Sequence, residues 1–386
     1  MNGFNKKNSN RIRVAVAIDS FKGSLTSIQA GNAVKEAILS LDDAAQVTVR
    51  PLADGGEGTV DALSIGLGGE KVTVKVTGPR LSLTDAEYCV LSDGTAVIEM
   101  AAAAGITLVP LNDRDPLEAT TYGVGQIIKD AIERGCRRFI VGIGGSATND
   151  GGAGMLSALG FEFLKENGEP ISLCAKGLGE LHTISTKNVL PELTDCTFRV
   201  ACDVTNPLCG ERGCSAVYGP QKGATPETIL IMDKWLHRYA EIAKGVSKSA
   251  DPNYPGAGAA GGLGFAFLSF LNATLESGIS IILDESKLEK YVKEADIVVT
   301  GEGRLDSQTV MGKAPIGVAK LAKKHGKTVI AFSGCVSDDA EVCNEHGIDA
   351  FFPIVRGVTS LEDALNTENA YRNLVNTARQ VFRLII

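Results

Sequence analysis

Short β-branched runs recur along the chain, each followed by a stretch rich in Gly, Asp and Ser and then by an apolar pattern with helical spacing. The first run predicts a strand over 13–18, followed by the loop DSFKGS. Ser24 is a suitable cap for the helix that comes next. Its apolar positions share one face at near-helical spacing: Ile28, Val34, Ile38 and Leu41.

The same scheme continues through the chain. We predict a strand over 47–49, a short helix around Val60 and Leu63, a helix between Thr121 and Gly135, and a strand over 138–141. Further elements are strands over 296–300 and 328–332 and an amphipathic helix over 367–384. Strands that alternate with helices form a parallel sheet, so the sequence predicts an α/β fold.

The middle of the chain has a different pattern. Residues 66–118 predict short strands with tight turns, and residues 200–275 are rich in loops around one long helix over 226–244. We therefore expect a disordered extension over 1–11, a Rossmann-like parallel-sheet domain formed by 12–65 and 285–386, and a second α/β domain inserted over 66–284.

Composition and charge exclude several classes of protein. The chain has 386 residues, a net charge of −8 and no block of basic residues, which argues against nucleic acid as a partner. No apolar run reaches the ~20 residues that span a bilayer. The first ten residues are polar and lack the apolar core of a secretory signal, so we expect the protein in the cytoplasm.

Nine cysteines are scattered along the chain, an odd number that fits reduced thiols better than a disulfide framework. Cys202, Cys209 and Cys214 lie close in sequence, but they form no CxxC pair and have no histidine near them. A zinc site is therefore not the favoured interpretation.

Glycine is over-represented in this chain: 44 of the 386 residues are glycine, well above the usual share of ~7%. The segment 142–147 follows a strand and matches a dinucleotide fingerprint, with Glu162 about twenty residues further on. However, Asp150 lies in the same loop and would repel a pyrophosphate. An NAD-dependent dehydrogenase of a small hydroxy acid is thus the second hypothesis, and a non-catalytic binding module is the third.

Carboxylates, single cations and glycines occur together in the loops that follow the predicted strands. Phosphoryl transfer needs this mixture, because carboxylates hold Mg²⁺ or accept a hydroxyl proton, and cations and loop amides bind phosphate oxygens. The groups are Asp19 with Lys22, Asp54 with Glu57, Asn149 with Asp150, Asp203 with Asn206, and Glu302 with Arg304 and Asp306. Each residue taken alone is also a common turn former.

These loops resemble those of the bacterial-type (type 1) glycerate kinase family over nearly the whole chain, from about Arg13 onward. The motifs that carry the resemblance are IDSFKGSL, PLADGGEGTVDAL, IEMAAAAGITLVP, RDPLEATTYGVG, GGSATNDGGAGMLSALG, ACDVTNPLCGERG, YGPQKGATP, PGAGAAGGLGFAFLSFLNA and TGEGRLDSQTVMGKAPIGVA. The resemblance implies a glycerate kinase I fold and a kinase that uses ATP and Mg²⁺ to phosphorylate D-glycerate, with the 2-position favoured. It also allows a homodimer.

Within this resemblance we rank residue roles by their chemistry. The predicted catalytic residues are the cations Lys22 and Arg304 and the proton acceptor Asp203, with Asp54 as the alternative acceptor. Predicted nucleotide contacts are Gly144, Gly145, Ser146, Asn149 and Gly258. Predicted metal ligands are Asp150 and Glu302. Predicted substrate contacts are Ser20, Glu57, Glu99, Asn206 and Asp306.

Overall fold

The structure is a computed structural model, and it describes residues 11–52 and 68–386. Its described residues fall into two compact units, one formed by 11–52 with Ile282–Ile386 and the other by 68–281. Asp54, Glu57 and the predicted helix around Val60 and Leu63 lie outside the described residues. Among the helices described, none combines the length and the apolar character that crossing a membrane requires.

The strands of the described residues are β1 (Arg13–Val16), β2 (Gln46–Val49), β3 (Gly69–Thr77), β4 (Leu83–Leu91), β5 (Thr95–Glu99), β6 (Arg138–Gly142), β7 (Glu162–Leu164), β8 (Thr183–Ser185), β9 (Thr197–Ala201), β10 (Thr274–Glu276), β11 (Ile297–Leu305), β12 (Thr328–Val336) and β13 (Ala350–Pro353).

The described α-helices are α1 (Ser27–Leu39), α2 (Ala101–Ala104), α3 (Tyr122–Glu133), α4 (Ala153–Ala158), α5 (Ala175–Leu178), α6 (Cys214–Tyr218), α7 (Pro226–Lys244), α8 (Ala259–Phe270), α9 (Gly278–Glu285), α10 (Leu288–Glu294), α11 (Ala314–Lys324), α12 (Val342–Glu345), α13 (Leu361–Leu365) and α14 (Thr367–Phe382). Short 3₁₀ turns are Ile106–Leu108, Leu111–Asp113, Pro191–Asp195, Pro220–Lys222, Thr309–Met311 and Asp338–Glu341.

The first unit is a five-stranded parallel sheet in the order β13-β12-β11-β1-β2. Counted within the unit this is the order 2-1-3-4-5 of doubly wound folds, whose strand order reverses between β1 and β11. The two strands are in register with Val14 opposite Ile297. The α/β class with parallel sheets, predicted from the alternation of strands and helices, is confirmed.

Helices cover both faces of this sheet. Residues 14–16 of β1 are fully buried, because α1 and α14 pack on the face that carries Val14 and Val16, and α11 packs on β11 and β12. The predicted cap of α1 is wrong. Thr26 caps the helix through a capping box with Gln29, whereas the Ser24 hydroxyl donates to the Phe21 carbonyl.

The predicted ends of two strands are also wrong. β11 continues past Thr300 to Leu305, and β12 continues to Val336, so Glu302 and Arg304 lie on a strand and not in the loop that follows it. Glycine makes this pairing feasible, because a Cβ on Gly301 would lie 2.0 Å from the Phe332 carbonyl oxygen. Glycine is typical of loops, but here it allows β11 and β12 to approach each other closely.

The second unit is built on a six-stranded sheet in the order β10-β9-β6-β5-β4-β3. β5, β6, β9 and β10 are parallel, and β4 and β3 continue the sheet in antiparallel pairing. β7 and β8 form a separate two-stranded sheet. The carboxyl ends of β5, β6 and β9 therefore meet at one edge, where the loops beginning at 143 and 202 leave the sheet.

The core of this unit is rich in aromatic side chains. Tyr239 on α7 is fully buried and stacks edge-on against Phe265 on α8, with ring centroids 5.3 Å apart. The long helix predicted over 226–244 is confirmed, and Thr225 begins it with a capping box. The predicted inward face of α3 is confirmed as well, since its apolar positions are buried: Val124, Ile127, Ile128, Ala131 and Ile132.

Three successive residues at the start of α8, Ala260, Gly261 and Gly262, have positive φ angles. A Cβ on Gly261 would lie 2.1 Å from the Thr148 carbonyl oxygen, in addition to the unfavourable φ of +68°. We therefore expect Gly261→Ala to lower the free energy of unfolding by at least about 2 kcal/mol, measured by urea denaturation.

The matched control for this substitution is Gly94→Ala. Gly94 has a φ of +80° but no atom within 4 Å of the added carbon, so this variant should lose only about 1 kcal/mol. Equal losses in the two variants would show that close contact with the loop at 148 is unimportant for stability.

Candidate active site

The first cluster of predicted site residues lies beyond the carboxyl end of β1, beside the last residues of β11. The Asp19 amide donates to the Gly301 carbonyl at 2.9 Å, which keeps the loop after β1 against β11. A Cβ on Gly303 would lie 3.3 Å from the Lys22 amide nitrogen, so this glycine allows the two segments to approach. Ser20 donates its amide to the Asp19 carboxylate at 2.6 Å, and the Lys22 side chain is exposed.

Glu302 and Asp306 form a carboxylate pair around one ammonium group. Lys313 Nζ lies 3.5 Å from Glu302 Oε2 and 3.7 Å from Asp306 Oδ1. The Thr309 hydroxyl also donates to Glu302 at 2.7 Å. Burial raises the pKa of Glu302 despite these partners. A cation is thus held between two carboxylates at the end of β11.

Arg304 lies on the exposed side of β11, two residues from each of these carboxylates. Its guanidinium donates to the Ser337 hydroxyl through Nε at 3.2 Å and Nη2 at 3.1 Å, and its Nε lies 3.4 Å from Asp306 Oδ2. Its side chain is 65% exposed. The structure therefore brings Arg304, Glu302 and Asp306 into one cluster with an additional cation, Lys313.

Lys313 is a residue that the sequence analysis missed. It precedes α11 directly, and the pair Gly312-Lys313 fails the Walker pattern because Ala314 follows it. The available signal was its place in the motif TGEGRLDSQTVMGKAPIGVA, eleven residues after Glu302. A pattern search for a phosphate loop discards this lysine, whereas its contacts with two carboxylates show its place in the cluster.

The second cluster surrounds a cavity of about 240 Å³ at the carboxyl edge of the larger sheet. Gly144, Gly145 and Ser146 line it from the loop after β6, and Asp203 lines it from the loop after β9. The other lining residues are Ile143, Ala201, Cys202, Val204, Tyr218, Gln221, Lys222, Ala259 and Ala260. The structure therefore brings the predicted glycine loop and the predicted proton acceptor to one cavity.

The amides of the glycine loop are available to a ligand. Within the described ranges, the amides of Gly144, Gly145 and Ser146 donate no hydrogen bond, although the Gly145 carbonyl accepts from the Ile106 amide at 2.8 Å. Gly145 has a φ of +72°, a conformation that glycine adopts without strain. Three successive unpaired amides on a cavity wall are suited to binding an anion.

Asp203 and Asn206 are positioned by the loop that follows β9. The Asp203 side chain is exposed, and its Oδ1 accepts the Gly278 amide at 3.1 Å. Asn206 is half-buried, donates to the Arg212 carbonyl at 2.8 Å and accepts from the Tyr218 hydroxyl at 2.7 Å. Asn206 therefore contacts the cavity wall through Tyr218 and does not itself line the cavity.

Asn149 and Asp150 are completely buried and lie outside the lining of the cavity. Asn149 donates to the Ser215 hydroxyl at 2.9 Å, and its Oδ1 has no hydrogen-bond partner. Asp150 accepts four protein donors, from the Thr121 amide and hydroxyl and from the amides of Gly152 and Gly154. Burial nevertheless raises the pKa of Asp150. Its assigned role as a metal ligand remains a prediction.

The two remaining predicted residues of this unit sit near the same edge. Gly258 packs tightly, since a Cβ there would lie 2.2 Å from the Pro207 carbonyl oxygen. Glu99 is half-buried at the carboxyl end of β5, opposite Gly142 of β6. Neither lines the cavity. Across the parts of the chain that the structure describes, no three His, Cys, Asp or Glu side chains come together as a preformed metal site.

Lys222 is the second residue that the sequence analysis missed. Only 2% of it is exposed, and it lines the cavity from the 3₁₀ turn Pro220–Lys222. Its Nζ donates to the Ser146 hydroxyl at 2.8 Å and to the Thr148 carbonyl at 2.6 Å. Burial lowers the pKa of Lys222 to about 8. Its motif, YGPQKGATP, is among those that resemble the family, but nothing in the motif indicates that this lysine is buried.

Comparison with known proteins shows extensive similarity. Residues 14–386 match the model of the glycerate kinase family. The glycerate kinase of Halalkalibacterium halodurans is 47% identical over 367 residues, which cover 94% of this chain and 97% of the relative. The glycerate 2-kinase of Escherichia coli is 44% identical over 371 residues, which cover 96% and 97%.

A solved structure shows the same likeness in three dimensions. The crystal structure of a protein assigned to glycerate kinase 2 from Salmonella typhimurium superposes with a TM-score of 0.90. It is 44% identical in sequence, and the match covers 97% of this chain and 98% of that one.

Proposed function

Because this chain belongs to the glycerate kinase family, we propose that it transfers the γ-phosphoryl group of ATP to the 2-hydroxyl of D-glycerate, giving 2-phospho-D-glycerate and ADP. The chain is a kinase that phosphorylates glycerate with ATP. The 2-position is supported by its similarity to the E. coli glycerate 2-kinase. These relatives give no support to the alternative of an NAD-dependent dehydrogenase.

The residue assignments are based on the cavity of the second unit. There, three successive unpaired amides and a carboxylate that follows a neighbouring strand line the same space. We assign the amides of Gly144, Gly145 and Ser146 to phosphate oxygens, because backbone amides of a glycine loop bind phosphate at short distance. Asn149 and Gly258 do not line the cavity and remain predicted nucleotide contacts.

Asp203 is the proton acceptor in this proposal. The attacking hydroxyl of glycerate loses a proton when it bonds to phosphorus, and an exposed carboxylate on the cavity wall is suited to receive it. Asp54, the alternative acceptor, lies outside the described residues, as does Glu57. Ser20, Asn206 and Glu99 remain predicted substrate contacts.

The cluster at the end of β11 fits a magnesium ion. Mg²⁺ is bound in proteins by one or two carboxylates with water and phosphate oxygens, and Glu302 and Asp306 already enclose one cation, the ammonium of Lys313. We propose that Glu302 and Asp306 hold Mg²⁺, which when bound neutralises phosphate charge. Arg304 and Lys22 supply further positive charge for anionic oxygens of the substrates.

The cytoplasm remains the proposed compartment. All nine cysteines are free in the structure, which fits a reducing environment. A homodimer remains a prediction that sedimentation of the purified protein would test.

The test of this function is a product assay with purified protein. With Mg-ATP and D-glycerate, we expect ADP by chromatography and, after addition of enolase alone, formation of phosphoenolpyruvate. Omission of glycerate should abolish ADP release, and chelation of Mg²⁺ should do the same in the step before enolase is added.

A second arm identifies the position of phosphorylation. If phosphoenolpyruvate forms only after phosphoglycerate mutase is added as well, the product is the 3-phosphate and the proposed 2-position is wrong. If no ADP depends on glycerate, the proposed substrate is wrong.

A further inference from the structure

Lys222 is a buried cation that forms no ion pair with the described residues. Its two hydrogen-bond acceptors, the Ser146 hydroxyl and the Thr148 carbonyl, are both uncharged. Asp150, which is also buried, attracts the ammonium through space but does not contact it. Lysine is rarely buried to this extent unless it is paired, because removal of its charge from water is costly. Such a lysine is expected where an external anion completes its surroundings.

The backbone around Lys222 fixes its position. The residue ends a 3₁₀ turn, and Gly223 follows with a φ of +96°. A Cβ on Gly223 would lie 2.3 Å from the Arg114 carbonyl oxygen, so the chain passes very close to the segment at 114. The lysine side chain is therefore held against the loop 146–148 and is not a mobile surface group.

Donor groups converge on one cavity from two directions. Lys222 lines the cavity together with Gly144, Gly145 and Ser146, whose amides have no partner among the described residues. An ammonium and three amides can donate to several oxygens of one anionic group. Such a set of donors is typical of sites that bind phosphate.

We propose that Lys222 is a catalytic residue that binds an oxygen of the phosphoryl group during its transfer from ATP to glycerate. The inference rests on the proposed function and deepens it. In this step the bond between the γ-phosphorus and the oxygen of ADP breaks, and a bond forms between that phosphorus and the glycerate hydroxyl oxygen. The hydroxyl proton goes to Asp203, the ADP oxygen keeps the bonding electron pair, and Lys222 remains protonated.

The glycerate carboxylate is the other anion that would suit this site. The phosphoryl group is the better match, because it offers three oxygens to the four donor groups. Asp203 lines the same cavity, and the hydroxyl that it deprotonates is the one that bonds to phosphorus. The phosphorus atom must therefore come within bonding distance of the glycerate hydroxyl oxygen that lies next to Asp203.

The test compares Lys222→Met with Lys244→Met. Lys244 lies on α7 of the same unit, is 49% exposed and pairs with Glu241, so it controls for the loss of one lysine charge. We expect kcat of K222M to fall about a hundredfold, as for the loss of one donor to a developing anion, and kcat of K244M to be unchanged. Binding of a non-hydrolysable ATP analogue should weaken at least tenfold in K222M, whereas binding of ADP, which lacks the γ-phosphoryl group, should not change.

The unfolding temperature of K222M distinguishes a catalytic role of Lys222 from a purely structural role. K222M removes a buried charge but leaves the Ser146 hydroxyl and the Thr148 carbonyl without this donor, so the two effects oppose each other and its unfolding temperature should stay close to that of the wild type. Unchanged kcat with a lower unfolding temperature would overturn the proposal. A rise confined to KM for glycerate, with kcat and ATP-analogue binding unchanged, would assign Lys222 to the glycerate carboxylate and would also overturn it. In either case ADP release by the wild type would leave the proposed function intact.

A pH profile of the wild type provides a measurement that needs no variant. Since the pKa of Lys222 is lowered to about 8, kcat and ATP-analogue binding should decline above that pH as the ammonium loses its proton. Analogue binding that stays constant well above pH 8 would contradict the proposal, and the decline should be absent from K222M.

Several other titratable groups lie near Lys222. The titratable and charged groups that act on Lys222 or share its cavities are Cys214, Asp150, Cys202, Asp203, Tyr218, Arg80, Arg114 and Asp115. Burial raises the pKa of Cys214 to about 11 and also raises the pKa of Cys202 and of Tyr218. Burial also raises the pKa of Asp150, and because K222M keeps Asp150, its pH profile separates the titration of Asp150 from that of Lys222.

Discussion

Replacement of Asp203 by asparagine should lower kcat about a thousandfold and leave the unfolding temperature unchanged. General base catalysis by a positioned carboxylate contributes about 10² to 10⁴ to the rate, and the amide of asparagine cannot accept the hydroxyl proton. Asparagine has the same shape and keeps an oxygen to accept the Gly278 amide, so the loop after β9 should retain its conformation. The measurement is kcat at saturating ATP and glycerate, together with thermal unfolding.

Asp251→Asn is the matched control for this variant. Asp251 is exposed in the same unit, and its Oδ1 also accepts one backbone amide, that of Asn253 at 2.9 Å. D251N should have unchanged kcat. If D203N is fully active while Asp54→Asn is not, the proton acceptor is Asp54 and the assignment of Asp203 is wrong.

Replacement of Asp150 by alanine should lower the free energy of unfolding by about 3 to 5 kcal/mol. Alanine removes the acceptor of four donors, and buried donors left without a partner each cost about 1 to 3 kcal/mol, only part of which relaxation recovers. Three of these donors converge on Oδ2, at distances of 2.8, 2.8 and 3.3 Å. Urea denaturation of the variant beside the wild type measures the loss.

Two further variants show whether the lower stability of D150A comes from the lost hydrogen bonds of Asp150. Asp150→Asn keeps one oxygen for the three donors at Oδ2 and should lose less than D150A. Asp251→Ala, which removes an exposed carboxylate with one amide donor, should lose under about 1 kcal/mol. A D150A variant of normal stability that needs far more Mg²⁺ for activity would instead support the predicted role of Asp150 as a metal ligand.

The sequence predicts the positions of the elements well, because burial on both faces of a parallel sheet requires continuous apolar runs such as 14–18. It predicts their ends less well. Ser24 and Thr26 are both suitable caps for α1, and the choice depends on Gln29, whose side chain completes a capping box only with Thr26. The extension of β11 was missed because Gly301 and Gly303 are typical of loops, whereas here they permit close approach of neighbouring segments.

The site residues were also predicted only in part. Composition after the predicted strands selected Asp203, Glu302, Arg304 and Asp306, since the ends of parallel strands meet at one edge. The structure brings the last three together, although Glu302 and Arg304 lie on β11 itself. Burial cannot be predicted in this way, because it depends on which distant segments cover a residue. Lys222 was therefore not selected, although it lines the cavity, and the loop pair Asn149-Asp150 gave no sign that it lies fully inside the protein.

The five-stranded sheet has a consequence for synthesis of the protein. β1 lies between β2 and β11. Arg13 and its hydrogen-bond partner beside β11, Asp296, are 283 positions apart in the sequence. A ribosome that adds about 5–20 residues per second needs tens of seconds to make the intervening chain. During that time the second unit is completed, while β1 has one edge without a strand to pair with. The segment that contains β1 therefore depends on shielding from aggregation, and the first unit can form its sheet only after residues 297–353 have been made.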